Sequence, residues 1–346
     1  MHAGANTTHL TLPINKLGFN LKLPSYIYDS CQITTRRLLN LSRDTNIQKL
    51  YSLSCSQVTT RQDNIVELAG AGEHNIVKRK CSKIQKQKND EYTWKEFLSL
   101  KKQSIIIKYI IEYLPAQRII SWQKVVDRMP ANIFSFCRRA LILALPTKVN
   151  LKTWNILDDN LCSLCRVKCE TQHHILNNCV VAVNQHRMTW RHDSVLYSIA
   201  YYLQALVTKG YTLFADLPGY QNPGYVFENL RPDIVLCYRN IVYAIELTIC
   251  FETNFEKSRE YKQNRYKDLK HQLINKNYNL EIFFLEFSSL GFCSHHIGNF
   301  TKLIRNLGID VSRMVSICSE VCIRTSYYIF NRRNKDWTNP ELLNYT

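Results

Sequence analysis

Four residues close together in the chain carry the clearest chemistry: Cys162, Cys165, His174 and Cys179, spaced C-x2-C-x8-H-x4-C. Three thiolates and an imidazole are the donors that close a tetrahedral structural zinc site and leave no open position for catalysis. Thirteen cysteines spread evenly over 346 residues would put fewer than one in the stretch 162–179, and that stretch holds four. Two alternatives stand beside this ligand set: His173 adjoins His174, and Cys169 is a spare thiol. So short a segment cannot bury a core of its own, so bound Zn2+ would supply much of its folding free energy.

A second constellation lies downstream. Residues 231–238 and 241–249 read as two strands joined by Arg239-Asn240, where asparagine tolerates the positive φ of a two-residue turn. In that register Tyr238 opposes Ile241, and Asp233 opposes Glu246 with Cβ atoms about 4.5–5.5 Å apart. Like charges so placed repel, and a divalent cation such as Mg2+ would hold them together. That is the chemistry of metal-assisted phosphodiester hydrolysis. The plain alternative is an edge hairpin with two solvated acids, and an odd-length loop would turn Glu246 to the other face.

Nuclease sites of the pattern P-D-(x)n-(D/E)-x-K carry a lysine two residues after the second acid, and that position here is Thr248. The charged helix expected at 256–275 offers a replacement in Lys262, with Arg265 and Tyr266 on the same face at i+3 and i+4. Arg265 and Tyr266 are then expected to face the phosphates of the scissile strand.

The rest of the chain must position these groups. It carries 45 Lys+Arg against 28 Asp+Glu, a net charge of +17 and a pI near 9.3, which favours a polyanionic partner over an acidic small molecule. The other cysteines, such as Cys31, Cys55, Cys137, Cys237, Cys250 and Cys293, stand alone in apolar surroundings as buried free thiols do, so a reducing compartment is expected. Neither a signal peptide nor a membrane span is legible. Residues 1–90 show no compact domain and end in the basic run 78–88, a nuclear-import or nucleic-acid patch or simply a solvated face.

A helical linker is expected over 91–160, beginning with one helix from Trp94 to Pro115 and followed by helical segments at 122–128 and 132–145. The knuckle occupies 161–185. A helix capped by Asp193 should run to about Val207 and stop at Gly210, followed by a Pro/Gly-rich loop at 217–224. The order strand (Ile234–Tyr238), strand (Ile241–Cys250), helix (256–275), strand (280–287) completes an α/β domain over 186–330, and 331–346 reads as a tail.

Taken in order, the Cys162, Cys165, His174, Cys179 cluster, the Trp190-Arg191-His192-Asp193 motif, Arg231-Pro232-Asp233, Glu246-Leu247-Thr248 with Phe251-Glu252, and Lys262 to Tyr266 resemble the carboxy-terminal part of non-LTR retrotransposon reverse transcriptase polyproteins. The resemblance covers roughly residues 120–330. It implies a mixed-sheet PD-(D/E)xK restriction-like nuclease core, preceded by a helical linker and a zinc knuckle, that nicks target DNA so that the new 3′-hydroxyl primes reverse transcription. It assigns catalysis to Asp233, Glu246 and Lys262, with Mg2+ on the two acids. Glu252 becomes a candidate to assist with metal, and Arg191 and His192 become candidates to touch nucleic acid, against the alternative that Asp193 caps a helix and the pair is solvated. DNA and the element's own RNA are the implied partners, in the nucleus. The polymerase is missing from the pattern: the sole Asp-Asp pair, Asp158-Asp159, sits in a polar link and not in an aromatic-x-Asp-Asp hairpin. A nucleic-acid-binding relic that has lost nuclease activity is the alternative.

Overall fold

The computed structural model describes residues 7–54, 57–70, 74–220, 231–267 and 278–343. The chain divides into two compact units, one over Asn6–Ser104 and the other over Ile105–Thr346.

The first unit is helical, which corrects the expectation that 1–90 holds no compact domain. Helix α1 (Pro24–Asn40) starts on Pro24, whose fixed φ suits a first turn. Helix α2 (Thr45–Leu53) is capped by Asp44, whose carboxylate accepts the Asn46 and Ile47 amides. With α3 (Gln57–Ala69) and α4 (His74–Leu98) these helices enclose Ile33, Ile65, Ala69, Val77 and Cys81. Buried Arg36 adds a two-pronged bond to Asp63, at 2.7 and 2.8 Å, that ties α1 to α3. These helices mix few apolar residues with many polar ones, which kept their periodicity faint in the sequence. The basic run lies on α4: Val77, Cys81 and Gln85 turn inward while Lys78, Arg79, Lys80, Lys83, Lys86 and Lys88 are exposed.

The helix expected from Trp94 to Pro115 is interrupted. Helix α4 ends at Leu98, and α5 (Ile105–Tyr113) begins after a break in which Ser99 and Ser104 hydroxyls bond back to the carbonyls of Glu96 and Leu100. The boundary between units therefore falls at 104/105 rather than at 90/91.

In the second unit, α6 (Ala116–Val126) and α7 (Ala131–Leu141) follow Pro115 and Pro130, and α8 (Lys148–Thr153) is capped by Thr147. After the cysteine segment come α9 (Val180–Asn184) and α10 (Arg187–Leu203). Helix α10 begins seven residues earlier than expected, with His186 at φ 58° as its N-cap, so Asp193 sits inside the helix and caps nothing. The following 3-10 turn ends on Gly210 at φ 86°, where the sequence placed the stop.

A four-stranded sheet completes this mostly helical chain. Its order is β1 (Thr212–Ala215), β2 (Ile234–Tyr238), β3 (Ile241–Cys250), β4 (Asn279–Ser288), antiparallel except for the parallel pair β3/β4. The hairpin register follows the expectation, with Tyr238 opposite Ile241 and Ile234 opposite Ile245. The turn does not: the positive φ, 54°, falls on Arg239 rather than Asn240. Strand β1, four residues long and half exposed, was too short to show an alternation in the sequence.

One sheet face carries Ile234, Leu236, Tyr243, Ile245, Leu247, Leu285 and Phe287 into the main core, against α10, α12 (Gly298–Asn306) and α13 (Val311–Asn331). The other face carries Val235, Val242 and Ala244, with Tyr266, just past the end of α11 (Phe255–Arg265), packed on them. The remainder of the helix expected at 256–275, from 268 on, and the part of the expected loop from 221 to 224 lie outside the described residues, as does Cys55.

The stretch 331–346 is no loose tail where it is described. Trp337 packs on Trp190 and Tyr328, the Trp190 indole donates to the Glu341 carbonyl at 3.1 Å, and the Leu343 amide meets Ser194 Oγ at 3.3 Å. All described cysteines are free thiols, with Cys31 exposed rather than buried. Among the described residues, no helix is long and apolar enough to cross a membrane.

Candidate metal centre and carboxylate site

The cysteine segment folds around a tight loop. The Cys162 amide bonds to the Lys168 carbonyl, the Arg166 amide to the Cys162 carbonyl, and Arg166 takes φ 57° to close the turn. His174 opens a short π-helical turn that ends in Asn178, delivering Cys179 beside Cys162. The ligand atoms of Cys162, Cys165, His174 and Cys179 all lie within 4.8 Å of one another. Cys162 Sγ and Cys179 Sγ are 4.0 Å apart, and Cys165 Sγ is 3.4 Å from His174 Nε2. Bonds of ~2.3 Å to sulfur and ~2.0 Å to nitrogen in a tetrahedron would separate such pairs by roughly 3.5–3.8 Å, so the donor set fits zinc.

His173, the alternative ligand, is turned away against the Phe251 ring at 4.6 Å, and Cys169 is exposed. Burial, together with Cys179 nearby, pushes the Cys162 thiol up to about 11, and a bound divalent ion would reverse that by taking the thiolate as ligand. Burial and Lys168 hold His174 below its usual range, as a neutral imidazole ligand requires. Glu170 was not singled out from the sequence. It is buried and accepts the Lys148 and Ser163 amides at 3.2 Å each, and it pairs with Arg333 at 3.4 Å. The cluster is thereby fastened to α8 and to the residues after α13, and is not a free-standing module.

The second site sits on the α11 face of the sheet. Alternation along β3 puts Val242, Ala244, Glu246 and Thr248 on that face, and alternation along β2 adds Asp233 and Val235. The Asp233 amide donates to Glu246 Oε1 at 3.3 Å, and the Leu247 amide donates to Asp233 Oδ2 at 2.7 Å. Helix α11 then lays three side chains on the sheet: Arg259 pairs with Glu286 at 2.9 Å, Lys262 donates to Glu246 Oε2 at 2.5 Å, and the Tyr266 hydroxyl donates to Glu246 Oε1. Arg259 was missed because its partner, Glu286, is placed opposite Thr248 only by the parallel pairing of β4.

Burial raises Glu246 and so does the negative charge of Asp233, while Lys262 and Tyr266 pull it down; the net direction is upward. Burial acts the same way on Asp233, but His192, Lys262 and the Leu247 amide outweigh it and hold this carboxyl below its usual range. The site thus keeps one firmly ionised carboxylate beside one that holds a proton more readily. Two carboxylates are hard oxygen donors suited to Mg2+, and Asp233 and Glu246 are the residues that could hold it.

The structure places four expected residues differently. Arg191 is buried, 1% exposed, and donates to Ser326 at 3.1 Å, so its side chain is not at a nucleic-acid surface. His192 lies between Asp193, at 3.0 Å, and Asp233, at 3.4 Å, so it belongs to the carboxylate site. Burial alone would lower His192, yet the two carboxylates raise it to about 9. Glu252 is fully buried, accepts the Leu290 amide at 2.9 Å and makes no hydrogen bond to Asp233 or Glu246 among the described residues. Tyr266 faces the carboxylates and not a phosphate strand, because its ring packs into the apolar layer of Val235, Val242 and Ala244. Arg265 alone of its expected face stays exposed, its guanidinium 5.6 Å from the Tyr266 ring.

A third group of side chains had no sequence signal. Glu256, His295 and His296 bring ligand atoms within 4.8 Å of one another. Searches with protein-family models and among curated proteins return no match to this chain. What stands is a metal-binding Cys3His cluster in a mostly helical chain with a small mixed sheet.

Proposed function

We propose that this chain is a Mg2+-dependent DNA endonuclease of the PD-(D/E)xK restriction-like kind, carrying a zinc knuckle, and that it corresponds to the nicking region of a non-LTR retrotransposon protein without its polymerase. The observation that carries this reading is the convergence of Asp233, Glu246 and Lys262 on one sheet face, with the lysine supplied by α11 where Thr248 stands in the strand. Asp233 and Glu246 would hold the ion, which when bound polarises the phosphoryl oxygen and stabilises the departing 3′-oxygen. Lys262 places a positive group beside the acids, where charge develops on the phosphoryl group. His192 holds Asp233 in place and ionised. The net charge of +17 supports DNA, and the element's RNA, as partners in the nucleus.

A plasmid-relaxation assay in Mg2+ comparing the chain with Asp233→Ala is the test. Nicking by the parent and not by the variant is expected, and equal nicking by both removes the assignment. One observation favours a second reading, a nuclease-dead nucleic-acid-binding protein. Both Glu246 oxygens are taken by Lys262 and Tyr266, an arrangement that satisfies a buried acid without any ion. In that case neither protein nicks, while binding to DNA persists.

A further inference from the structure

The His295–Ile297 turn that follows β4 sets two imidazoles side by side, their ring centroids 3.9 Å apart, over the first turn of α11. Glu256 projects from that first turn, and its Oε1 lies 3.3 Å from His296 Nε2. We propose that Glu256, His295 and His296 form a second metal site, separate from the cysteine cluster and from Asp233–Glu246, that takes a borderline divalent ion of the zinc or cobalt type in exchange with solvent.

The donor set selects the ion. Two imidazoles and one carboxylate suit first-row divalent metals better than Mg2+, which prefers oxygen alone. Two ligands each ~2.0–2.1 Å from one tetrahedral ion stand roughly 3.4 Å apart, close to the His296–Glu256 separation. Glu256 and His295 are exposed and three protein ligands leave coordination positions for water, so the ion would exchange readily, unlike one enclosed by the cysteines.

The surroundings supply an independent argument. The Tyr113 ring packs against His295 at 4.6 Å and on Phe255 at 5.1 Å, and its hydroxyl meets Ser294 at 3.0 Å, so the imidazoles stand on a rigid aromatic wall. Near them lies Glu286, 1% exposed and within electrostatic reach of His296, with Arg259 and the Ser294 side chain as its partners. A buried carboxylate is costly, and a cation held near it offsets part of that cost. A simple His296–Glu256 ion pair gives His295 no role. An ion here would fasten the first turn of α11, the helix that carries Lys262, to the turn after β4.

The test uses the full chain and cobalt(II) as probe. With Mg2+ in large excess to occupy Asp233–Glu246, the parent should bind about two cobalt ions per chain. One should show the intense thiolate-to-metal absorption of the cysteine cluster and resist a mild chelator, and the other should lack that absorption and be stripped by it. His295→Ala/His296→Ala should retain only the resistant ion. Glu256→Gln, a surface change that leaves the fold intact, should weaken the second ion at least ~10-fold. If the parent takes up only the thiolate-bound ion, or if Glu256→Gln and the double variant bind the second ion as the parent does, the site does not exist.

Discussion

The cysteine cluster and the carboxylate site both gather groups that repel one another once ionised, and they answer that repulsion in different ways. Among the described residues, Cys162, Cys165 and Cys179 have no lysine or arginine as a hydrogen-bond partner, so three thiolates there call for a metal ion. Asp233 and Glu246 have partners from the protein itself: His192, Lys262, Tyr266 and two backbone amides. A structural ion would therefore be part of the first site's fold, whereas the second site is held by its own side chains and, on the proposed reading, would admit an ion as a working part. The contrast shows why a ligand-rich cluster and a pair of acids cannot be weighed on the same scale, even within one unit.

The largest expected effect breaks this comparison from the metal side. Cys162→Ser or Cys179→Ser should lose the bound zinc and cost on the order of 4 kcal/mol. Hydrogen exchange should show local opening confined to 160–185, and Cys169→Ser should change neither quantity. Metal analysis of protein prepared without chelator checks the first point. Finding no zinc in the parent would mean that the buried thiols stand as ordinary core cysteines.

The next effect probes the self-sufficient site. Lys262→Ala should abolish nicking, a loss of at least ~100-fold, while leaving DNA affinity within a few-fold. It should also destabilise the protein by about 2 kcal/mol, because Glu246 keeps a buried charge without its cation; partial exposure of Lys262 reduces the penalty from that of a fully buried pair. Adding Glu246→Gln should recover most of that stability and none of the activity. No change in the denaturation midpoint of Lys262→Ala would show that the lysine is not what stabilises the acids.

How much of this was readable in the sequence follows the same division. The zinc ligands lie within one short segment, and the C-x2-C spacing already forces two thiols onto one turn. The choice of His174 over His173 depended on the ring of Phe251, a contact made across the fold. The hairpin register was readable because Tyr238 and Ile241 leave room for just a two-residue turn, and that carried Asp233 and Glu246 to one face. What lies against that face was not readable. Helix α11 has charge all round, so nothing in its pattern said that Arg259, Lys262 and Tyr266, rather than Lys262, Arg265 and Tyr266, would turn toward the sheet. Arg191 misled for a related reason, since an arginine beside a histidine looks like a surface patch until the packing of α10 on α13 closes over it. The helical unit at 6–104 was hidden by its polar composition, because its stability depends on long-range pairs such as Arg36 with Asp63.

Glu252 gives a smaller effect with a defined sign. Burial raises its carboxyl to about 7, against the favourable charge of Arg191. A folded-state value above the unfolded one means that its stabilising contribution is complete below about pH 4.5 and is lost as pH rises through about 7. The parent should therefore lose on the order of 2–3 kcal/mol between pH 5 and 8 relative to Glu252→Gln, whose amide oxygen can still accept the Leu290 amide. Denaturant titrations at the two pH values measure this, and parallel pH profiles would show that the acid finds a compensating partner when it ionises.

The smallest effect concerns Arg265, the one member of the expected basic face that remains in solvent. Its neighbours Lys262 and Tyr266 are committed to Glu246, so Arg265 has no structural duty beyond lying near the Tyr266 ring, and its removal should leave stability within about 0.5 kcal/mol. What it can offer is a single exposed positive charge at the end of α11, and a charge that neutralises one DNA phosphate contributes through counterion release. Arg265→Ala should then weaken DNA binding only a few-fold at moderate salt and lower the slope of log affinity against log salt by about 0.9, the value for one phosphate contact on duplex DNA. The nicking rate at saturating DNA should hold. This separates it from Lys262→Ala, which should change the rate and leave the slope alone. If Arg265→Ala leaves the slope unchanged, DNA does not cross this end of α11. The exposed lysines of α4, Lys78 and Lys83 among them, would then be the next surface to substitute.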